Sequence, residues 1–327
     1  MDASLKRLAL AEPFRIAHGS SADRVVLRVE RDGCVAEAPF VPYYGDDPEE
    51  TLARLESGLP FEDLPRTARL ALDLLDHELA ARRAGEPLTV GIARRFSLSP
   101  GRVPPGCRSL GIPSDLEEFS RRVADLSRQF RVLKLKLGSG DLGLDLATVS
   151  VARRAAPGAE LIVDVNGGWD PSEAPMMIWK LMEDRPAIIE QPIHHRHGPE
   201  VWRDLRAELP ENAAPVYADE SVQSAADVEE FSRLVDGVNV KLLKAGSLDA
   251  AVAMIEAARA NGLGVLLGCM IESSLGTTAA AHLAPWADRI DLDGHFFLAE
   301  DDYDGITYDE TGSLVMPDGP GIGALRR

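Results

Sequence analysis

Three stretches decide the fold: RVLKLKLG at 131–138, ELIVDVNG at 160–167 and AIIEQPI at 187–193. Each is a short apolar, largely β-branched run that turns polar at its end, as a buried strand does when it leaves a core. The same form recurs on either side as RSLGIP (108–113), PVYADES (215–221), GVNVKLL (237–243), GVLLGCMI (264–271) and RIDLDG (289–294). Amphipathic stretches separate the runs, among them 115–129, 145–154, 172–183 and 249–260. Strands alternating with helices predict βαβ units and a parallel sheet. The polar residues Lys136, Asp164, Glu190, Asp219 and Lys241 follow one another at intervals of 28, 26, 29 and 22 residues. That is about one barrel unit each, because some 250 residues build eight. Eight strands in this rhythm predict an α/β fold with a TIM-type, modified (β/α) barrel. A doubly wound sheet is disfavoured, because no strand is followed by a dinucleotide fingerprint. The glycine series Gly319, Gly321 and Gly323 comes too close to the last residue for a helix to follow it.

Upstream of the barrel the pattern differs. Val25–Glu30 reads as a strand, Asp32-Gly33 as a tight turn and the region of Val35 as the returning strand. Helical spacing follows at 49–55 and 67–83, with Gly85 as the stop. The Pro/Gly-rich segment 97–107 reads as a linker. The expected division is an α+β unit over 1–105, the barrel over 106–298 and a C-terminal segment over 299–327.

Composition narrows the function. The 35 basic and 53 acidic side chains give a net charge of −18, which disfavours nucleic acid and anionic lipid as partners. Cys34, Cys107 and Cys269 are odd in number and lack CxxC spacing, so neither a disulfide framework nor a zinc cluster is expected. No apolar stretch has the length of a leader or a membrane span, and a soluble cytoplasmic protein is expected.

The chemistry collects at one end of the strands, the mouth of such a barrel. Asp164, Glu190 and Asp219 lie on successive strands and are all oxygen ligands, which suits Mg²⁺ and not zinc. The His194-His195-Arg196-His197 run reads as a solvated loop. Lys136 precedes the carboxylates and Lys241 follows them, so a closed barrel sets the two across the mouth from each other. A lysine near other cations and a metal is pushed towards its neutral form and can serve as a base. Lys134 faces the same way as Lys136, two residues on, and suits a developing oxyanion. Lys244 lies beyond its strand and reads as surface charge.

The set KLKLG, DVNGGW, IEQP, ADES, NVKLLKAGSL and GCMIESSLGTTAAAHLA resembles the muconate-lactonizing-like subgroup of the enolase superfamily. The DLDGH segment resembles the dipeptide epimerases, of which the Ala-Glu epimerases are best known. The resemblance spans nearly the whole chain and implies that 1–105 caps the barrel, completed by the C-terminal tail. It further implies Mg²⁺ on Asp164, Glu190 and Asp219, chelated by the C-terminal carboxylate of a dipeptide. Lys136 and Lys241 would stand on opposite faces of the Cα, with an enediolate between them held by Mg²⁺ and Lys134. Asp291 and Asp293 would receive the α-ammonium.

Two loops of the cap, 14–23 and 40–47, would cover the mouth, bringing Phe14 and His18 to the substrate. Ala-Glu epimerases carry an arginine a few residues after the first-loop phenylalanine. Here that place falls at His18-Gly19, and Arg15 and Arg24 are out of register. A neutral, hydrophobic or basic C-terminal side chain is therefore expected rather than glutamate. A homo-oligomer is also implied. The rival readings are a lyase of the same superfamily, of muconate cycloisomerase or o-succinylbenzoate synthase type, and a non-catalytic metal- or peptide-binding relative. Neither rival needs both an ammonium-binding DxD and two opposed lysines. The sequence leaves open whether Ser109, Asn166 and Ser273 touch a ligand.

Overall fold

The computed structural model describes residues 1–327. Its N-terminal unit is a three-stranded antiparallel sheet of β1 (Asp2–Ile16), β2 (Gly19–Arg31) and β3 (Cys34–Pro39). Three helices follow, α1 (Pro48–Glu56), α2 (Arg66–Ala84) and α3 (Leu88–Phe96). The β2–β3 turn has positive φ at both Asp32 and Gly33, the form that matches strand twist in a two-residue hairpin. Neither β1 nor α3 has a counterpart in the sequence reading. The inward positions of β1 change phase at Lys6-Arg7, from Ala3 and Leu5 to Leu8 and Leu10, and its pairing register with β2 shifts between Ala9 and Phe14. Such breaks blur a period-2 signal.

The second body is an eight-stranded parallel sheet in sequential order. Its strands are β4 (Cys107–Leu110), β5 (Val132–Lys136), β6 (Glu160–Asp164), β7 (Ile188–Glu190), β8 (Val216–Ala218), β9 (Gly237–Val240), β10 (Gly264–Gly268) and β11 (Arg289–Asp291). The helices between them are α4 (Leu116–Leu126), α5 (Leu142–Ala155), α6 (Ala174–Leu181), α7 (Pro199–Glu208), α8 (Ala225–Phe231), α9 (Leu242–Ala245), α10 (Leu248–Ala260) and α11 (Ser274–Ala281). This is the anticipated α/β barrel with an N-terminal antiparallel unit.

Strand side chains repeat every two residues, and that period layers the barrel. Cys107, Val132, Ile162, Ile188, Tyr217 and Leu266 form a buried apolar cluster of their own. Two residues later on four of those strands come Lys134, Asp164, Glu190 and Asp219, all fully buried. Tyr217 needs glycine beside it: a Cβ at Gly264 would stand 1.9 Å from its hydroxyl oxygen and one at Gly237 2.3 Å from its ring. The polar layer therefore rests on a filled apolar floor.

The N-terminal unit is tied to the barrel by buried polar bonds. Glu37 on β3 accepts from the amide and hydroxyl of Ser273, which caps α11, and its other oxygen accepts from Arg28 at 3.0 Å. His77 on α2 lies 3.1 Å from Asp249 on α10, and Asp73 caps the same helix through the Leu248 amide at 2.7 Å. After β11 the chain returns across both bodies. Two short strand pairs form, β12 (Tyr303–Asp304) with β15 (Leu325–Arg326) and β13 (Thr307–Tyr308) with β14 (Leu314–Val315). Asp302 takes Arg28 at 2.8 Å, and the Ile322 amide donates at 2.5 Å to Glu78 of α2.

Candidate active site

The carboxylates of Asp164, Glu190 and Asp219 converge at the C-terminal ends of β6, β7 and β8, with one ligand oxygen from each within 4.8 Å of the others. Strand register sets part of this, since Lys136 pairs with Asp164 and Asp164 with Glu190. Asp164 Oδ1 accepts from the Asn166 amide at 3.0 Å, and Glu190 Oε1 from Asn239 Nδ2 at 2.7 Å. Glu190 Oε2 and Asp219 Oδ1 accept no hydrogen bond; each meets only an ammonium, Lys134 at 2.9 Å and Lys244 at 2.7 Å. Buried carboxylate oxygens without donors cost free energy unless a cation satisfies them. An all-oxygen donor set whose remaining oxygens face only cations fits a hard divalent cation such as Mg²⁺.

The lysines share these carboxylates. Lys134 is fully enclosed, 2.7 Å from Asp291, 2.9 Å from Glu190 and 3.0 Å from Asp164. Lys136 meets Asp164 Oδ2 at 2.6 Å, and Lys241 meets Asp219 Oδ2 at 2.7 Å. Burial works against the charge on Lys134, but Asp164, Asp291 and Glu190 outweigh it and hold its pKa well above the usual lysine range. Lys241 behaves alike: burial and Lys134 lower its pKa, but Asp219 opposite it prevails, so among these side chains alone the lysine is held charged and not towards the neutral form expected of it. Among the carboxylates, burial acts to raise Asp164, yet Lys134 and Lys136 bring it down to about 2. Burial and then Asp164 push Glu190 up to about 8. Asp219 sits between Lys241 and Lys244, and the two ammoniums overcome its burial and lower its pKa.

Lys244 is a correction to the sequence reading. It is not surface charge but fully buried, in the short helix α9. Its ammonium pairs with Asp219 Oδ1, donates to the Asp219 carbonyl, and donates to the Asn239 carbonyl at 2.7 Å. The chain turns into α9 directly after Lys241, and that turn carries the side chain back beneath the strand ends. Gln191 was also missed. It adopts positive φ and bridges β7 to β8, its Oε1 accepting from the Asp219 amide at 2.9 Å. The polar residue after Glu190 was the only signal available for it.

Asp291 and Asp293 lie on the same wall as the lysines. Asp291 takes Lys134 and, at 3.0 Å, the Ser109 hydroxyl. Asp293 accepts from the Ser109 amide at 2.6 Å, with Arg108 at 3.4 Å, so the last strand closes against the first. Burial, then Asp291, pushes Asp293 up to about 6. A cavity of about 70 Å³ connects Lys136, Lys241, Asn166, Asp291 and Asp293, with Ser109 on its edge. The capping unit supplies Phe14, Ile16, Val41 and Tyr43 to its walls, and the barrel loops add Met270 and Ile271.

Arg24 also reaches this cavity, from β2. Its guanidinium meets no carboxylate, bonding instead to the Ser21 hydroxyl and the Asp23 carbonyl of its own hairpin at 3.1 Å. Phe14 packs on Phe297 with ring centres 4.4 Å apart. His18 lies over the rim, 3.9 Å from Glu220 and with its ring 4.6 Å from Tyr43. Of the three undecided residues, Ser109 and Asn166 line the cavity, whereas Ser273 is turned to Glu37. The histidines at 194, 195 and 197 belong to no cluster of metal-ligand spacing.

The molecule is thus a parallel barrel with a capping sheet, with two lysines and three converging carboxylates at its C-terminal mouth. The chain belongs to the enolase C-terminal domain-like family, whose model matches residues 117–325. A relative from Roseobacter litoralis, a hydrophobic dipeptide epimerase, is 37% identical over 263 residues, covering 79% of this chain and 73% of that protein. The substrate-liganded L-Ala-D/L-Glu epimerase of Bacillus subtilis superposes with a TM-score of 0.88 at 27% identity, covering 99% of this chain and 98% of the other. A dipeptide epimerase from Methylococcus capsulatus, complexed with Mg and L-Arg-D-Lys, gives a TM-score of 0.85 at 26% identity and covers 99% and 98% of the two chains. No helix is long and apolar enough to cross a membrane.

Proposed function

We propose that the protein is an isomerase that epimerises a dipeptide at the Cα of its C-terminal residue by Mg²⁺-dependent 1,1-proton transfer. The observation that carries this reading is the pair Lys136 and Lys241, each poised on a carboxylate of the same triad from a different strand. A bound Mg²⁺ on Asp164, Glu190 and Asp219 would polarise the substrate carboxylate and so acidify the adjacent Cα–H. Lys136 and Lys241 act from opposite faces: one removes the proton, and the ammonium of the other returns a proton to the far side. Lys134, held cationic by three carboxylates, faces the negative charge that develops on the substrate. Asp291 and Asp293 receive the α-ammonium, which fixes the dipeptide end to end. The lyase and binding-only alternatives leave the second lysine and the DxD pair without a task.

The C-terminal side chain is neutral and apolar in this reading. Phe14, Ile16, Val41, Met270 and Ile271 form the wall it would meet, and the Arg24 guanidinium is engaged by its own hairpin. The name of the Roseobacter relative supports the same preference. The test is incubation with Mg²⁺ and single L,L-dipeptides in D₂O, following deuterium at Cα by mass spectrometry. Exchange and epimerisation of L-Ala-L-Leu are expected, with a kcat/KM above that of L-Ala-L-Glu. A higher value for L-Ala-L-Glu overturns the side-chain preference, and no exchange in any dipeptide overturns the activity.

A further inference from the structure

Asp145 is a buried carboxylate outside the constellation described so far, in the first turn of α5. All of its side-chain bonds are to N–H donors. Oδ2 accepts from the Gly138 amide at 3.0 Å and from Trp169 Nε1 at 2.9 Å, and Oδ1 accepts from the Ser139 amide at 3.1 Å. A buried carboxylate is costly unless donors replace its water, so three donors aimed at one group mark a built junction. The donors come from two strand-end loops. Gly138 and Ser139 directly follow the end of β5, which carries Lys136, and Trp169 lies in the loop after Asp164 of β6. The loops meet backbone to backbone. Gly138 has a φ of +75°, and a Cβ there would stand 2.4 Å from the Val165 carbonyl oxygen and 2.8 Å from the Cβ of Ala17, in the β1–β2 turn of the cap. The Trp169 amide donates onward to the Pro192 carbonyl, beyond β7, at 3.2 Å.

We infer that Asp145 is a positioning residue for Lys136: it fixes the backbone just beyond the lysine and so sets where the ammonium stands over the substrate Cα. The inference rests on the two-lysine reading above and adds a residue to it. Lys136 needs such an anchor because its side chain has little else to hold it. Its ammonium bonds to Asp164 Oδ2, an oxygen it shares with Lys134. Its backbone is tied on one side by strand register and on the other by the Gly138 and Ser139 amides on Asp145.

Lys241 is supported in another way. It stands at the start of α9, and its carbonyl accepts from the Ala245 amide of that helix at 3.1 Å. The two lysines therefore depend on different backbone supports. Loss of Asp145 should disturb proton transfer on one face of the Cα and spare the other, which a general loosening of the barrel would not do.

The experiment follows Cα deuterium exchange in D₂O with Mg²⁺ from L-Ala-L-Leu and from L-Ala-D-Leu separately, with chiral analysis at early times. It compares the wild type, Asp145→Asn and Trp169→Phe. The face served by Lys136 is the one whose exchange Lys136→Met abolishes. Asparagine keeps the size of the side chain but turns an NH₂ towards donors; phenylalanine keeps a ring and removes one donor. In Asp145→Asn, exchange with retention on the Lys136 face is expected to fall about 10–100-fold through kcat, because misplacing a reacting group by about 1 Å costs ~100-fold. Exchange with retention on the Lys241 face should not fall, and KM should hold. Trp169→Phe should show the same selectivity with a smaller loss. Epimerisation falls in both directions, since each direction needs both lysines and the equilibrium between the epimers is fixed. An equal fall on both faces overturns the inference. So does an unchanged Lys136 face in Asp145→Asn, or in Trp169→Phe where cooperative melting shows that only this variant folds. Those two results leave the activity standing, whereas a wild type that exchanges no dipeptide overturns the activity and this assignment with it.

Discussion

Replacing Lys244 by Met tests the interior electrostatics most directly. The side chain is fully buried, and its ammonium serves the Asp219 carboxylate and the carbonyls of Asp219 and Asn239. Methionine keeps the length and loses the charge. Asp219 then keeps Lys241 on one carboxylate oxygen and has no partner on the other, the Asn239 carbonyl loses the ammonium, and the Asp219 carbonyl keeps the Val222 amide at 3.1 Å. Breaking a buried ion pair from one side costs about 3–5 kcal/mol. The weakened Asn239 carbonyl adds up to about 1–3 kcal/mol, offset by the desolvation of the ammonium that is no longer required. A net loss of about 4 kcal/mol is the central expectation. With an unfolding entropy near 2.1 cal/mol/K per residue, 327 residues give ~0.7 kcal/mol/K, so Tm falls by about 6 °C. Calorimetry on wild type, Lys244→Met and Lys244→Arg reads this. The arginine variant keeps the charge but overfills the space, and should fall between the other two. A methionine variant that melts within 1 °C of wild type would refute the reasoning, because that is how a surface lysine behaves.

Three further outcomes are expected. Lys136→Met and Lys241→Met should each lower epimerisation about 10²–10⁴-fold, the usual contribution of a general base, while each retains Cα deuterium exchange on the face served by the remaining lysine; chiral analysis of the recovered dipeptide reads both. Asp293, pushed up to about 6 by burial and by Asp291, takes up a proton as pH falls through 6, so KM for the dipeptide should rise below pH 6 and this step should vanish in Asp293→Asn. In stability the sign is the reverse: Asp293 binds its proton more tightly folded than unfolded, so its contribution is full below pH 4 and lost as pH rises through 6, and the wild-type advantage over Asp293→Asn in denaturant melts should shrink over that window. Chelator-treated protein should regain activity on addition of Mg²⁺, and Mg²⁺ at 100 times its Kd should stabilise it by about 2.7 kcal/mol; a melting shift that persists in Glu190→Gln at equal strength would count against the triad as the binding site.

The sequence carries the barrel because each strand pairs an apolar run with a polar terminus, and the period of two then puts Lys134 and Lys136 on one face without further information. The same logic gives Asp164, Glu190 and Asp219, one per strand end. It fails where a residue's position depends on a turn. Lys244 is three residues past Lys241 and would point away on a continuing strand, but α9 winds it back under Asp219. β1 escaped because its inward face changes phase at Lys6-Arg7 and its pairing register shifts between Ala9 and Phe14.

Local pattern therefore determined the element types, the strand-end chemistry and the kind of metal those oxygens suit, because these depend on residue identity and a fixed repeat. Tertiary structure alone decided which charges share a carboxylate and that Arg24 reaches the cavity from the cap. The first arises where one barrel strand lies beside another and the second where the cap meets the barrel; both join segments far apart in the chain, and no short-range periodicity encodes such a meeting.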